Sequence, residues 1–163
     1  MSIIVVKAEN LPLINSDGKI KPFVSARVFG MVLCTKCRPN ANPKFNAKLQ
    51  FPIYYPILNN KITMRVWSQT GALSPNTFIA NIPEHPNALD NFNLTKLMSQ
   101  DGRMPVRWIN LYGTKPMERS SKTKMRKEGT SWLGRVLIAF NLVTNERPML
   151  GDSISPAIKE PKI

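Results

Sequence analysis

Turn residues cut this sequence into short pieces, and that favours strands over helices. Fourteen prolines and eight glycines are spread through 163 residues, and the runs between them are β-branched or alternate apolar with polar. Ile3-Ile4-Val5-Val6 is the first such run. From Pro22 to Phe29, the residues Phe23, Ser25, Arg27 and Phe29 alternate with Val24, Ala26 and Val28, the pattern of a half-buried strand. Further strands are expected at 31–37, 47–53, 61–67, 77–83, 107–112 and 132–143. In the last of these, Leu133, Val136, Leu137 and Phe140 also have helical spacing, but Val136-Leu137-Ile138-Ala139-Phe140 reads as a buried closing strand. The one modest helix candidate is 91–99, with Asn91 or Asn93 as its cap. Eight short strands with frequent turns predict an all-β antiparallel sandwich.

Charge narrows the partners. Lys and Arg number 23 against 10 acids, a net charge of +13. Such a surface attracts anionic lipid headgroups or nucleic acid. The acids are also badly distributed. After Asp17 the next Asp or Glu is Glu84, and nine basic residues lie between them. A hard cation such as calcium needs several oxygen ligands, usually with carboxylates among them, and this stretch supplies none. Paired-carboxylate hydrolysis is excluded there for the same reason. Six of the residues from Lys115 to Lys127 are basic and one is acidic, which reads as a loop, with Lys122, Lys124, Arg126 and Lys127 as a secondary basic patch. Residues 146–163, with Pro156 and Pro161, read as a tail or linker.

Thiol and metal chemistry find little material. Cys34 and Cys37 form a lone C-x-x-C in a strand-like stretch, where residues three apart face opposite ways. They are expected to be packing residues in a reducing compartment, and His85 a loop residue. No nucleophile–base set or phosphate-cradling glycine loop is present, so no enzyme activity is expected. No apolar run approaches the ~18 residues that span a bilayer, and Lys7 interrupts the N-terminal run too early for a secretory signal. The expected location is the cytosolic side.

Several stretches resemble C2 domains. Ala8-Glu9-Asn10-Leu11-Pro12, then Gly18 and Lys21-Pro22-Phe23-Val24, is similar to the opening of that family. Thr35, Asn42-Pro43-Lys44-Phe45-Asn46 and Leu49-Gln50-Phe51-Pro52 resemble its "T…N-P-x-W-N-x…F-x-F" pattern. Phe29 to Lys36, Phe51 to Pro56, and Trp108-Ile109-Asn110-Leu111-Tyr112-Gly113 followed by Leu133-Gly134-Arg135-Val136-Leu137 resemble the third C2 domain of ferlins. Ferlins are long, tail-anchored proteins of vesicle fusion and membrane repair. The resemblance implies an eight-stranded Greek-key sandwich at 1–145, with a basic insertion loop at 114–131, a short helix insertion and the tail at 146–163.

The resemblance also marks what is missing. The family's calcium-ligating positions fall at Asn15 and Lys21 on the first loop and at Ser68, Thr70 and Asn76 on the third, none of them an acid. Calcium binding is therefore expected to be absent, and no cofactor is expected. The family's basic groove for phosphoinositides would fall on Lys36, Arg38, Lys44 and Lys48. Leu13, Ile14 and Leu73 would be loop tips able to enter a bilayer. The expectation is a calcium-independent C2 domain that binds anionic phospholipid (phosphoinositide or phosphatidylserine) at the cytoplasmic face of a membrane. The alternative is a rigid adapter that binds neighbouring C2 domains or vesicle-docking proteins. Nucleic-acid binding is motivated by pI alone, since Phe23, Phe29, Phe45, Phe51, Trp67 and Trp108 fall mostly at core-like positions.

Overall fold

The computed structural model describes residues 1–14, 18–71, 73–84, 91–99, 101–116 and 131–142. In chain order these form β1 Ser2–Glu9, β2 Pro22–Val28, β3 Met31–Cys34, β4 Lys44–Gln50, β5 Lys61–Ser68, β6 Thr77–Asn81, β7 Asn91–Asn93, α1 Leu94–Ser99, β8 Arg103–Gly113 and β9 Ser131–Asn141. The strands build two antiparallel sheets. One, sheet A, has the order β4-β1-β9-β8, and the other, sheet B, has the order β3-β2-β5-β6 with β7 also on β5. The expected antiparallel sandwich is present, with nine strands among the described residues rather than eight.

Alternation explains most of the core. Val24, Ala26 and Val28 point inward from β2, and Ile62, Met64 and Val66 point inward from β5, all essentially inaccessible. Across the interface stand Ile3, Val5 and Ala8 of β1 and Val136, Ile138 and Phe140 of β9. A bulge between Val5 and Lys7 shifts the inward positions of β1, which leaves Lys7 and Glu9 facing out. β9 is a strand despite its helical spacing because it lies between β1 and β8, where Leu137 and Ala139 are buried on the opposite face as well.

The helix candidate divides in two. Asn91–Asn93 pairs with Lys61–Thr63 as β7, which buries Phe92 against Phe140 at 4.8 Å between ring centroids. Asn93 then caps α1, its Oδ1 accepting from the Lys96 amide at 3.1 Å. β8 begins at Arg103 rather than 107, because Pro105 is accommodated in a bulge on this edge strand. The basic patch at Lys122, Lys124, Arg126 and Lys127, most of the loop at 114–131, the tail at 146–163, His85 and Asn15 lie outside the described residues.

Candidate functional site

Three loops leave the sandwich at one end. Glu9 ends β1 there, Pro22 starts β2 opposite Ser68 at the end of β5, and Gly113 of β8 faces Ser131 of β9. The crossover from β3 to β4 follows the first loop closely. Thr35 and Val24 exchange bonds, with the Thr35 amide donating to the Val24 carbonyl and the Val24 amide to the buried Thr35 hydroxyl, both at 2.9 Å. Next, Arg38 donates to Pro22, Asn40 to Ile20, and Leu11 to Ala41 in return.

At the loop end, two of the positions that resemble calcium ligands, Lys21 and Ser68, are engaged with one another. The Lys21 amide donates to the Ser68 hydroxyl at 3.0 Å, and the Gln69 amide donates to the Lys21 carbonyl at 2.9 Å. Ser68 is buried. Thr70 donates its hydroxyl to the Pro75 carbonyl at 2.7 Å, within its own loop. Among the described residues no group of three or more His, Cys, Asp or Glu side chains comes together.

The four residues of the expected basic groove are divided between the two sheets. Lys44 and Lys48 lie on β4 in sheet A, whereas Lys36 and Arg38 follow β3 at the edge of sheet B. All four are exposed, but the crossover carries the chain from one sheet to the other between them. The loop tips are also revised. Leu13 is about half exposed at 48% and Leu73 fully exposed at 100%, but Ile14 packs against the core beside buried Leu11.

What does assemble is an open depression of about 270 Å³ on the outer face of sheet B. Phe23, Ser25, Arg27, Val32, Cys34, Thr63, Arg65, Trp67 and Asn76 line it, and three cross-strand rows run through this face. Val32, Arg27 and Thr63 make the first, Cys34, Ser25, Arg65 and Asn81 the second, and Phe23, Trp67 and Phe78 the third, nearest the loop end. The aromatic row is held in place, since the Trp67 indole donates to the Ser25 hydroxyl at 3.0 Å and its ring meets Phe78 edge-on at 5.5 Å. The Arg65 Nε donates to the Asn81 Oδ1 at 3.2 Å, which leaves the rest of its guanidinium fork open. Arg27 and Arg65 are exposed diagonal neighbours, a spacing of about 7–8 Å in such a ladder. Neither has an ion-pair partner among the described residues. Two guanidiniums over a polar and aromatic floor suit a phosphate-bearing anion.

Trp67 and Phe23 therefore line the outer face of sheet B with the arginines; Phe23 is buried there as its core-like assignment expects, whereas Trp67 is only half-buried. The cysteines need correction too. Cys34 and Cys37 are free and exposed rather than packed. Partial burial, with Cys37 adding a smaller part, pushes the Cys34 thiol up and away from the reactive thiolate. Trp108 was also missed, because it lies on the outer face of sheet A under two cations. The Arg135 guanidinium is 4.1 Å and the Lys7 ammonium 5.4 Å from its ring centroid. Arg135 also donates from Nε and Nη2 to one oxygen of Glu9, at 3.0 and 2.7 Å.

The Arg135 hydrogen bonds hold the Glu9 carboxyl below the usual carboxylate range. A depressed carboxyl contributes stability above its unfolded value of about 4.3 and loses it as pH falls through the lower folded value. Arg135→Met is expected to cost about 2 kcal/mol at neutral pH, with a smaller penalty at pH 3. Thermal melts of both proteins across that range check this.

The sequence profile of the C2 domain matches residues 1–94. Among curated proteins the chain is similar to Ferlin 2 of Tetrahymena thermophila, at 38% identity over 98% of this chain and 10% of that protein. It is also similar to Ferlin 2 of Toxoplasma gondii, at 26% identity over 93% of this chain and again 10% of that protein. The chain thus spans about a tenth of the length of these relatives. Among solved structures it resembles the paired C2 domains of Extended-Synaptotagmin 2, with a TM-score of 0.58 at 12% identity over 86% of this chain and 40% of that one. A C2 domain of plant Extended Synaptotagmin 1 gives a TM-score of 0.56 at 14% identity, over 88% and 94%. The two-sheet sandwich, the profile match over more than half the chain and the similarity to both ferlins together mean that this chain belongs to the C2 domain family, with ferlins among its relatives.

Proposed function

We propose that this domain associates with anionic membranes without calcium, as one C2 domain of a ferlin-like trafficking protein. The observation that carries the reading is the convergence of Arg27 and Arg65 on one depression with Ser25 and Trp67 in its floor. Phosphoinositide or phosphatidylserine headgroups supply the matching charge, on the cytoplasmic face of a vesicle or plasma membrane where a tail-anchored parent holds the domain. The domain takes part in no catalysis and needs no cofactor. Its likeness to the third ferlin C2 domain rests on the Asn110-Leu111-Tyr112-Gly113 and Gly134-Arg135 stretches.

Calcium independence rests on the missing acids and on the bonds that join Lys21 to Ser68 and Gln69. Lys21 stands where the family has a calcium-ligating acid, and Ser68 already accepts a bond from the Lys21 amide. A bound ion stabilises a fold by mass action. Millimolar calcium is expected to leave the melting temperature unchanged, and a rise that saturates with calcium would refute this. The lipid contact is electrostatic, at about 1 kcal/mol for each basic residue near an anionic leaflet. Binding to phosphatidylserine vesicles therefore falls steeply as salt rises. Salt-insensitive binding would count against the reading.

One observation favours the adapter reading as well. At the end opposite the loops, where the Met1 amino group donates to the Phe51 carbonyl at 2.8 Å, Tyr54 is 64%, Tyr55 66% and Leu58 90% exposed. Such a patch suits contact with an adjacent domain.

A further inference from the structure

Cys34 and Cys37 both lie at the edge of sheet B, and an extra residue between them changes how they face. Cys34 pairs with Ser25 in the regular β2–β3 ladder. Beyond it the Thr35 amide donates to the Val24 carbonyl, and the Arg38 amide donates to the Pro22 carbonyl. The chain after β3 thus advances three residues where β2 advances two, which is a bulge. Counted back from Arg38, Cys37 stands opposite Phe23, which shares the outer face of sheet B with Ser25. A regular strand turns side chains three positions apart to opposite faces. Here the bulge returns both thiols to one face, where both are exposed and free.

The spacing suits a bond between them. Ser25 and Phe23 set the two positions about 6.6 Å apart along the ladder, at the long end of the Cα separations that disulfides span. β3 is an edge strand with a neighbour on one side only, so the bulge has room to tighten. The charge of Cys37 also reaches Cys34, where it adds to burial in pushing the thiol up.

Cys34 lines the depression that holds Arg27 and Arg65. It shares a cross-strand row with Ser25 and Arg65, two strands away, or about 10 Å at the backbone. Guanidiniums bind carboxylates in the same bidentate way as phosphates. A small disulfide with carboxylates on either side of its sulfurs fits that span, and glutathione disulfide is such a molecule.

We propose that Cys34 and Cys37 are a redox-modifiable dithiol, closed into a disulfide by glutathione disulfide that Arg27 and Arg65 draw to the depression. Burial keeps the Cys34 thiol protonated, so the Cys37 thiolate attacks first. Its sulfur bonds to one glutathione sulfur, and the S–S bond of glutathione disulfide breaks to release a glutathione thiolate. The Cys34 thiol then loses its proton, and its sulfur displaces the second glutathione from Cys37. Two protein thiols are oxidised, and one disulfide is reduced to two glutathione thiols, which take up the two protons. In a reducing compartment such a bond is transient, and glutathione reverses the step. The inference needs no membrane and is independent of the membrane reading.

The reduced protein is treated with excess glutathione disulfide, then weighed by mass spectrometry with its free thiols counted. Cys34 and Cys37 are the only cysteines of the sequence, so closure predicts a wild type lighter by two hydrogens, with no free thiol and no retained glutathione. Cys34→Ser is expected to keep one glutathione on Cys37. Arg27→Gln with Arg65→Gln is expected to react about tenfold more slowly with glutathione disulfide, and no more slowly with cystamine, a dicationic disulfide. A wild type that retains glutathione on its thiols, or leaves them free, overturns the disulfide. Equal rates for the wild type and the arginine variant overturn recruitment by the depression.

Discussion

Replacing Gly134 with alanine is expected to cost about 4 kcal/mol, against a typical domain stability of about 5–15 kcal/mol. The glycine has φ +98, a region that L side chains rarely adopt. A Cβ there would lie 2.4 Å from the Glu9 carbonyl oxygen and 2.7 Å from that of Asn10. Both are backbone atoms at the end of β1, in the central pair of sheet A, so neither can rotate aside. β9 and β1 would have to separate where Arg135 reaches Glu9. Gly113 is the internal control. Its Cβ would meet only the Leu133 Cδ1, at 3.0 Å, the far end of a flexible side chain. Gly113→Ala is expected to cost under about 1 kcal/mol. Urea denaturation of both variants reads the difference. Equal costs would mean that the close approach of β9 to β1 is misplaced.

Reversing both arginines of the depression should nearly abolish binding to anionic vesicles. Arg27→Glu with Arg65→Glu changes the local charge by four units, which at about 1 kcal/mol each weakens binding by about a thousandfold. Net charge alone predicts a similar loss wherever the reversals are made. Lys44→Glu with Lys48→Glu is therefore the matched control, since it makes the same change in total charge on sheet A. A much larger loss for the arginine pair is expected from the depression. Equal losses would assign binding to the diffuse cationic surface. All four residues are exposed, so folding is expected to be little affected, which circular dichroism checks.

Where one face of a strand is buried, the sequence announces it. Phe23 to Val28 alternates clearly, and so does Ile62 to Val66, and both strands stand where the alternation puts them. The signal fails where a local irregularity interrupts it. The β1 bulge was hidden inside a run of four β-branched residues, all of them apolar whichever way they face. β8 starts four residues earlier than the expected 107, with Pro105 in a bulge at the sheet edge. β7 is three residues long, and only Phe92 contributes to the core.

The candidate site was harder to see because it depends on register between strands distant in sequence. Arg27 was visible as an outward residue of β2, but nothing local says that Arg65, 38 positions on, is its diagonal neighbour. Lys36, Arg38, Lys44 and Lys48 are close in sequence, yet the crossover from β3 to β4 divides them between sheets. The loop end was half legible. The missing acids could be read directly, whereas the bond from the Lys21 amide to Ser68 required the fold.

The central claim is that charge, without calcium, holds this domain on an anionic bilayer. Vesicle co-sedimentation at physiological salt tests it most directly, comparing neutral, phosphatidylserine and phosphoinositide vesicles, each with calcium and with chelator. The expected result is binding to the anionic vesicles that is the same in calcium and in chelator, and none to neutral ones. Binding that appears only with calcium, or no binding to anionic vesicles at all, would contradict it.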